Sequence, residues 1–419
     1  MKLFRNVMIF DGKSSSRSGP SDVLVRGNTI ESVAARTPAE LDAGARVIDG
    51  TGRTLMPGLI DAHWHATMAA VPLQTLLLAP LGYTMIAAAR EATQTLMRGF
   101  TSVRDLAGPS FGLKMAIDAG VVDGPRIWPS GAMISQTGGH GDFRLPYEVP
   151  RAPSGSRSRG EILGGGAIAD GADEVRRCTR EQLMLGASQI KLAAGGGVAS
   201  AYDPIDVSQY GEREFAAAVE AAENWGTYVT VHAYTPRAIQ AALRGGVRCI
   251  EHGQLMDEAT AERIAASGAW LSLQPFLDNE FANPQKGEAR KKQLLVTAGT
   301  DKAYAFAKKY RIKTAFGTDI LFDPAMTQHQ NAILATLTRW YEPAEILMMA
   351  TGTNAELLAL SGPRAPYPGT LGIVAQGATA DLLLVEGNPI ADINLIANPQ
   401  TSLSIIMKDG TIYKDSLSA

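Results

Sequence analysis

His63 and His65 stand two residues apart in Leu59 to His65, a run apolar enough to be a strand. Residues i and i+2 of a strand share a face, so both imidazoles point the same way and can grip one metal ion. His232 lies near the end of a second such run, Thr227 to Tyr234, and His252 closes a third, Val247 to His252. These four are most of the six histidines in the chain. Asp319 ends a further run, Ile312 to Asp319, where a carboxylate can ligate a cation and take a proton from an activated water. The bland alternative is a set of satisfied core histidines and an aspartate capping a turn; repetition at the C-terminal ends of four strands argues against it.

Lys191 sits in the apolar strand Gln189 to Ala194. Burial lowers a lysine's pKa and leaves more neutral amine. Such an amine can add carbon dioxide, and the resulting carbamate could bridge two cations. Taken alone, the residue is equally well read as a lysine snorkelling from a strand end. His140, in the glycine-rich loop Gln136 to Asp142, could polarise a carbonyl or bind substrate, the alternative being a plain surface histidine. Tyr234, two residues beyond His232, should turn its hydroxyl to the same cavity. Arg104 and Asp105 are expected to form a structural ion pair at a strand end, outside the catalytic set. Gly108-Pro109-Ser110-Phe111-Gly112 has the spacing of a serine-hydrolase elbow, which makes Ser110 a remote alternative nucleophile. Gly195-Gly196-Gly197 lacks the lysine of a phosphate loop.

These residues need a scaffold that gathers strand ends. Eight apolar runs serve: Leu59 to His65, Phe100 to Leu106, Arg126 to Ile134, Gln189 to Ala194, Thr227 to Tyr234, Val247 to His252, Trp270 to Pro275 and Ile312 to Asp319. Helical patterns separate them, which predicts parallel βαβ units and an α/β chain closed into a (β/α)8 TIM barrel. Shorter β-segments occupy both ends: Phe4 to Phe10, Asp22 to Val25 and Thr29 to Val33, then Asp381 to Val385 and Leu403 to Met407. They predict a small composite β-sandwich from residues 1–57 and 368–419, with the barrel over 58–367. Gln136 to Asp173, rich in proline and glycine, reads as a long loop over the barrel mouth. The uncharged stretch Ala66 to Ala89 is interrupted by Pro72, Pro80 and Gly82, so a buried loop and helix is expected there rather than a membrane span.

The 419 residues leave room for a large core, and 45% apolar with 19% charged residues is the composition of a compact protein. A net charge of -3 offers no basic field, so neither nucleic acid nor a membrane is an expected partner. The two cysteines, Cys178 and Cys249, have no zinc-knuckle or redox spacing. The start, Met1 to Asn6, lacks the apolar run of a secretory signal, and a cytoplasmic location is the expectation.

Together Pro57-Gly58-Leu59-Ile60-Asp61-Ala62-His63-Trp64-His65, Lys191, His232, Glu251-His252-Gly253 and Gly317-Thr318-Asp319 resemble the metal positions of the amidohydrolase superfamily, in order and across essentially the whole chain. Within it, Thr101 to Leu106, Gln136 to Asp142 and Val231 to Tyr234 resemble the Xaa-Pro dipeptidase or prolidase-like branch, which includes ochratoxin-hydrolysing amidohydrolases. The resemblance implies that His63, His65 and Asp319 hold one divalent ion and His232 and His252 another, with zinc the expected metal. A carboxylated Lys191 would bridge them. It also implies release of a C-terminal amino acid from dipeptides or N-acyl amino acids, with His140 and Tyr234 touching this small-molecule substrate, and a homo-oligomer, often an octamer. The mechanism expected from it is attack by a hydroxide between the two metals, with Asp319 as proton shuttle. A deaminase of the same superfamily is a weaker match, because Ala233-Tyr234-Thr235 carries no glutamate beyond His232. A lactonase or carbamate hydrolase remains open.

Overall fold

The computed structural model describes residues 1–36, 44–149 and 155–417. The chain opens with β1 (Lys2–Ile9), β2 (Ser18–Arg26), β3 (Thr29–Ala34), β4 (Arg46–Asp49) and β5 (Arg53–Pro57). Then come β6 (Leu59–Trp64), β7 (Phe100–Asp105), β8 (Arg126–Pro129), β9 (Met133–Ser135), β10 (Gly166–Ile168), β11 (Ile190–Ala193), β12 (Val229–Ala233), β13 (Cys249–His252), β14 (Trp270–Leu273) and β15 (Thr314–Phe316). The last strands are β16 (Leu382–Glu386), β17 (Leu403–Lys408) and β18 (Thr411–Asp415).

All eight predicted barrel runs are strands, in parallel order β6-β7-β8 and β9-β11-β12-β13-β14-β15. The third run is broken: β8 pairs with β7 and β9 with β11, and the chain turns between them at Gly131, whose φ is +72°. Across that break the Ser188 N–H donates to the Pro129 carbonyl at 2.7 Å. First and last strands meet through the Asp319 N–H and the His63 carbonyl, 2.8 Å apart. Beneath, the Asn354 amide donates to the carbonyls of Ile60 and Phe316, both at 2.8 Å, and accepts from the Phe316 N–H. A Cβ on Gly317 would fall 2.3 Å from that of His63, so only glycine lets the last strand come this close. The family fold expected from sequence, a TIM barrel with an extra domain, is the fold of the chain.

The two chain ends pair into one sheet, in the order β18-β17-β16-β5-β1-β2-β3 with β4 beside β1. Its period-2 pattern serves two cores. Leu382, Leu384, Ile405 and Met407 pack with Phe4, Val23 and Leu55 inside the small unit, whereas Leu383, Val385, Leu403 and Ile406 join the barrel's own core.

Two expectations need correction. Gln136 to Asp173 is not simply a loop: it holds a 3-10 turn at Pro146–Glu148, a short helix Arg159–Ile162 capped by Ser158, and β10, which pairs parallel with β9. The helix Ala172–Met184 already begins inside that range. A three-residue edge strand owes its existence to non-local pairing, which periodicity does not register. Pro150 and Pro153, part of the loop's signal, lie outside the described residues. The uncharged stretch is also less buried than expected. Ala66 and Ala69 are interior, but Leu78, Tyr83 and Ile86, in helices Leu73–Leu78 and Leu81–Met97, are 66%, 57% and 74% exposed. Helix Leu81–Met97 lays one face against β7 and leaves the other open, whatever its composition, whereas Leu73 of the shorter helix lines the cavity described below. Among the described residues no helix is long and apolar enough to cross a membrane.

An ionic clasp adds to the apolar core that sheet and barrel share. Arg126 of β8, 6% exposed, donates to both oxygens of Asp381 at 2.8 and 2.6 Å, and to Asp409 at 2.7 Å. Removing one partner leaves a buried charge unpaired, so Arg126→Ala should cost about 3–5 kcal/mol in denaturant unfolding. A loss below about 1 kcal/mol would show that the pair does not hold the two units together.

Candidate active site

The barrel strands deliver His63, His65, Lys191, His232, His252 and Asp319 to one cavity of about 650 Å³. His63, His252 and Asp319 offer ligand atoms that all lie within 4.8 Å of one another. His65 reaches the same carboxylate, its Nε2 2.9 Å from the Asp319 Oδ1, with the His63 Nε2 at 3.1 Å. The His232 ring packs against His252 at 4.5 Å between centroids. The trio therefore joins members of both ion sites that the resemblance implied.

Backbone geometry aims these groups. His252 and Asp319 have φ of +77° and +55°, the left-handed region that side-chain-bearing residues rarely enter. Neighbours on a regular strand face opposite ways. The left-handed turn at His252 breaks that rule, so Glu251 and His252 both face the barrel interior, Glu251 on His63 and His252 on His232.

Hydrogen bonds settle which nitrogen His63, His232 and His252 have left. The His63 Nδ1 lies 2.9 Å from Glu251, the His252 Nδ1 2.7 Å from Gln274, and the His232 Nε2 3.0 Å from the Gly196 carbonyl. That leaves the His63 Nε2, the His252 Nε2 and the His232 Nδ1 without a neutral partner, as metal-binding imidazoles held from behind require. Burial pushes His232 and His252 well below the usual imidazole pKa, so both are neutral and have a lone pair to give. The Lys191 Nζ is buried and finds no hydrogen-bond partner among the described residues. Burial drags its pKa down to about 8 against the opposing pull of Glu251 and Asp319. Burial would raise Asp319, but His63, His65 and His252 more than offset it and keep the carboxylate ionised. An orphaned amine, neutral imidazoles and an anionic carboxylate around one cavity fit a divalent cation site.

His140 and Tyr234 also line the cavity. His140 stacks on His232 at 4.0 Å, and the Tyr234 ring touches both His232 and His252. Burial raises the Tyr234 pKa well above its ordinary value, so its hydroxyl remains a donor at neutral pH. Away from these polar side chains the wall is largely apolar, with Met68, Met133, Phe143, Phe276, Phe281 and Phe322 among its residues.

Sequence reasoning missed the layer beneath. Arg104 does not pair with Asp105, because adjacent strand residues face opposite ways. It donates to Glu251 at 2.7 Å, to the Tyr228 hydroxyl at 3.0 Å and to the Ala62 carbonyl at 2.6 Å. Thr230 adds a bond to the same Glu251 oxygen. Burial favours a neutral Glu251, yet Arg104 and His63 hold it well below the carboxylate range. The available signal was a glutamate inside the apolar strand Cys249–His252, opposite an arginine inside Phe100–Asp105. Asp105 instead accepts from the Ala66 N–H at 2.7 Å and the Ser110 hydroxyl at 2.6 Å. That disposes of the serine-hydrolase reading: Ser110 is fully buried, bonded to a carboxylate, and does not line the cavity.

Residues 54–413 match the Amidohydrolase family. The chain is 32% identical over 380 residues to an ochratoxinase of Aspergillus niger, covering 86% of this chain and 75% of that protein. Among solved structures, a prolidase complexed with N-methylphosphonate-L-proline is 34% identical with a TM-score of 0.89, covering 99% of this chain and all of that one. A Xaa-Pro dipeptidase with methionine bound in its active site is 26% identical with a TM-score of 0.82, and each chain is 99% covered. The resemblance seen in the sequence, including its prolidase and ochratoxinase branch, is thereby established, and this chain belongs to the amidohydrolase family as a hydrolytic enzyme.

Proposed function

We propose that the chain is a binuclear metal-dependent amide hydrolase that releases a C-terminal amino acid from dipeptides or N-acyl amino acids. The carrying observation is the imidazole cluster whose outward nitrogens are tied to Glu251, Gln274 and the Gly196 carbonyl, around a buried lysine amine that has no partner among the described residues. Its relatives support the substrate class: one is an ochratoxinase, and another, a prolidase, holds an N-phosphonyl proline. In this reading His63, His65 and Asp319 hold one divalent ion, zinc by preference, and His232 and His252 the other, with a carboxylated Lys191 between them. When bound, such ions would acidify a water and polarise the scissile carbonyl.

The protein's own groups supply the rest. Asp319, ionised and at the strand end, takes the proton from the attacking water at its carboxylate and returns it to the departing amine as the C–N bond breaks. Tyr234 donates its hydroxyl proton towards the oxygen on which charge develops. His140 contacts the carboxylate of the leaving amino acid. The apolar wall takes the acyl portion, a fit for aromatic amides such as N-acyl-phenylalanine or ochratoxin A as well as Xaa-Pro dipeptides.

Three measurements follow. Lys191→Ala should lose most activity and regain part of it with short carboxylic acids; full activity without additives would exclude the carbamate. Carbon dioxide adds only to the neutral amine, and a pKa near 8 means that the neutral fraction grows as pH rises through that value. At a fixed concentration of dissolved carbon dioxide, metal-free enzyme given zinc should therefore reactivate faster at pH 9 than at pH 7, and a reversed order would contradict the lysine assignment. Amidating the carboxylate of N-acyl-phenylalanine should lower kcat/KM by about 10–100-fold, as loss of a charged hydrogen-bond partner does. Equal turnover of acid and amide would exclude carboxylate recognition while leaving amide hydrolysis intact.

A further inference from the structure

The loop after β11 carries a buried acid that the reaction proposed above does not use. Asp203 is 2% exposed. Its Oδ2 accepts from the Gly197 N–H at 2.6 Å and lies 3.5 Å from the His140 Nδ1. Between them stands Ser200, itself buried, whose Oγ is 2.6 Å from that same nitrogen. The Asp203 Oδ1 has no hydrogen-bond partner among the described residues. A buried anion held by one amide, with an oxygen to spare, is costly unless a polar neighbour uses it. His140 and Ser200 are those neighbours: burial would raise the Asp203 carboxyl, but they and the Gly197 N–H hold it below its ordinary range.

The loop is also shaped to the ring. A Cβ on Gly197 would lie 2.0 Å from the His140 Nδ1 and 2.1 Å from its Cε1, so any side chain there evicts the imidazole. Lys292 pins the loop from behind by donating to the carbonyls of Gly197, Ser200 and Asp203 at 3.2, 3.0 and 2.7 Å. The His140 backbone N–H is held as well, by Gln209 at 3.0 Å. With Nδ1 engaged, Nε2 is the nitrogen left for the cavity, and it bonds to none of the described residues.

We propose that Asp203, acting with Ser200, is a positioning residue that fixes the His140 ring so that its Nε2 edge meets the substrate. This rests on the reading of His140 as a substrate contact. The neighbouring orphan Oδ1 and the close fit of Gly197 distinguish the arrangement from a carboxylate that merely closes a turn.

The test is a double-mutant cycle on the zinc-loaded enzyme with N-acetyl-phenylalanine as substrate. Asp203→Asn should lower kcat/KM by about 10–100-fold, the range for a partner that orients an active imidazole. In a His140→Ala background the same change should cost less than about twofold, because both remove one interaction. Ser200→Ala, which deletes only a hydroxyl, should behave alike with a smaller loss, and it serves if Asp203→Asn does not fold. The loss should be confined to substrates with a free carboxylate: hydrolysis of N-acetyl-phenylalanine amide, which lacks the group His140 contacts, should change less than about twofold, a selectivity that mere loop loosening does not require. Equal losses in both backgrounds, or equal losses on the free acid and its amide, would make Asp203 structural and overturn the proposal. If His140→Ala is costly and Asp203→Asn and Ser200→Ala are both silent, the substrate reading stands and this one falls. If His140→Ala is itself silent, both fall together.

Discussion

Asp61 is completely buried where the first and last barrel strands meet. One of its oxygens accepts the N–H groups of His63 and Thr318, both at 3.1 Å; the other accepts the Thr318 hydroxyl at 2.7 Å and the Gln330 amide at 3.0 Å. Four donors on one carboxylate lock the ends of β6 and β15 in register, one step behind His63 and Asp319. Asn354 and Gly317 secure the same seam, the first by hydrogen bonds and the second by having no side chain. Were that seam to slip, Asp319 would leave His63 and His65, and the cavity would keep its histidines but lose its anion.

Charge is managed in layers below that point. The Arg104–Glu251 pair is wholly buried and would be weak evidence for stability on its own. Here its value is orientational: Arg104, Thr230 and the His63 Nδ1 share the Glu251 carboxylate, so the His63 imidazole cannot rotate without unpairing a buried charge. Gln274 does the same for His252 without adding charge. Left-handed backbone at His252 and Asp319 costs about 1–3 kcal/mol apiece, a strain that the surrounding bonds over-determine. Stability is thus surrendered at the strand ends to bring side chains from adjacent positions into one cavity.

Much of this could be read from the sequence because its signals are local. Apolar runs ending in His or Asp announce strands and their functional ends together, and the spacing of His63 and His65 names a shared face. The unbroken apolar run Leu382 to Val385 likewise reads as a strand buried on both faces. Features that arise only when distant segments meet were not legible. Arg104 and Glu251 are far apart in the chain, and nothing local says that their side chains meet inside the barrel. The split of the third strand at Gly131, the short β10 and the exposed Leu78 and Ile86 depend on what lies alongside, not on their own composition. His140 was found by its motif, whereas Asp203, which holds it, belongs to no pattern at all.

The central claim is that two divalent ions work in this cavity, and metal stoichiometry addresses it most directly. Protein purified without chelators should contain about two divalent ions per chain by elemental analysis, since four imidazoles, a carboxylate and a carbamate exceed what one tetrahedral zinc can use. Activity on N-acyl-phenylalanine should vanish as a chelator removes them and return as zinc is added back to two equivalents. Full activity at one ion per chain, or activity that survives complete removal of metal, would contradict the account.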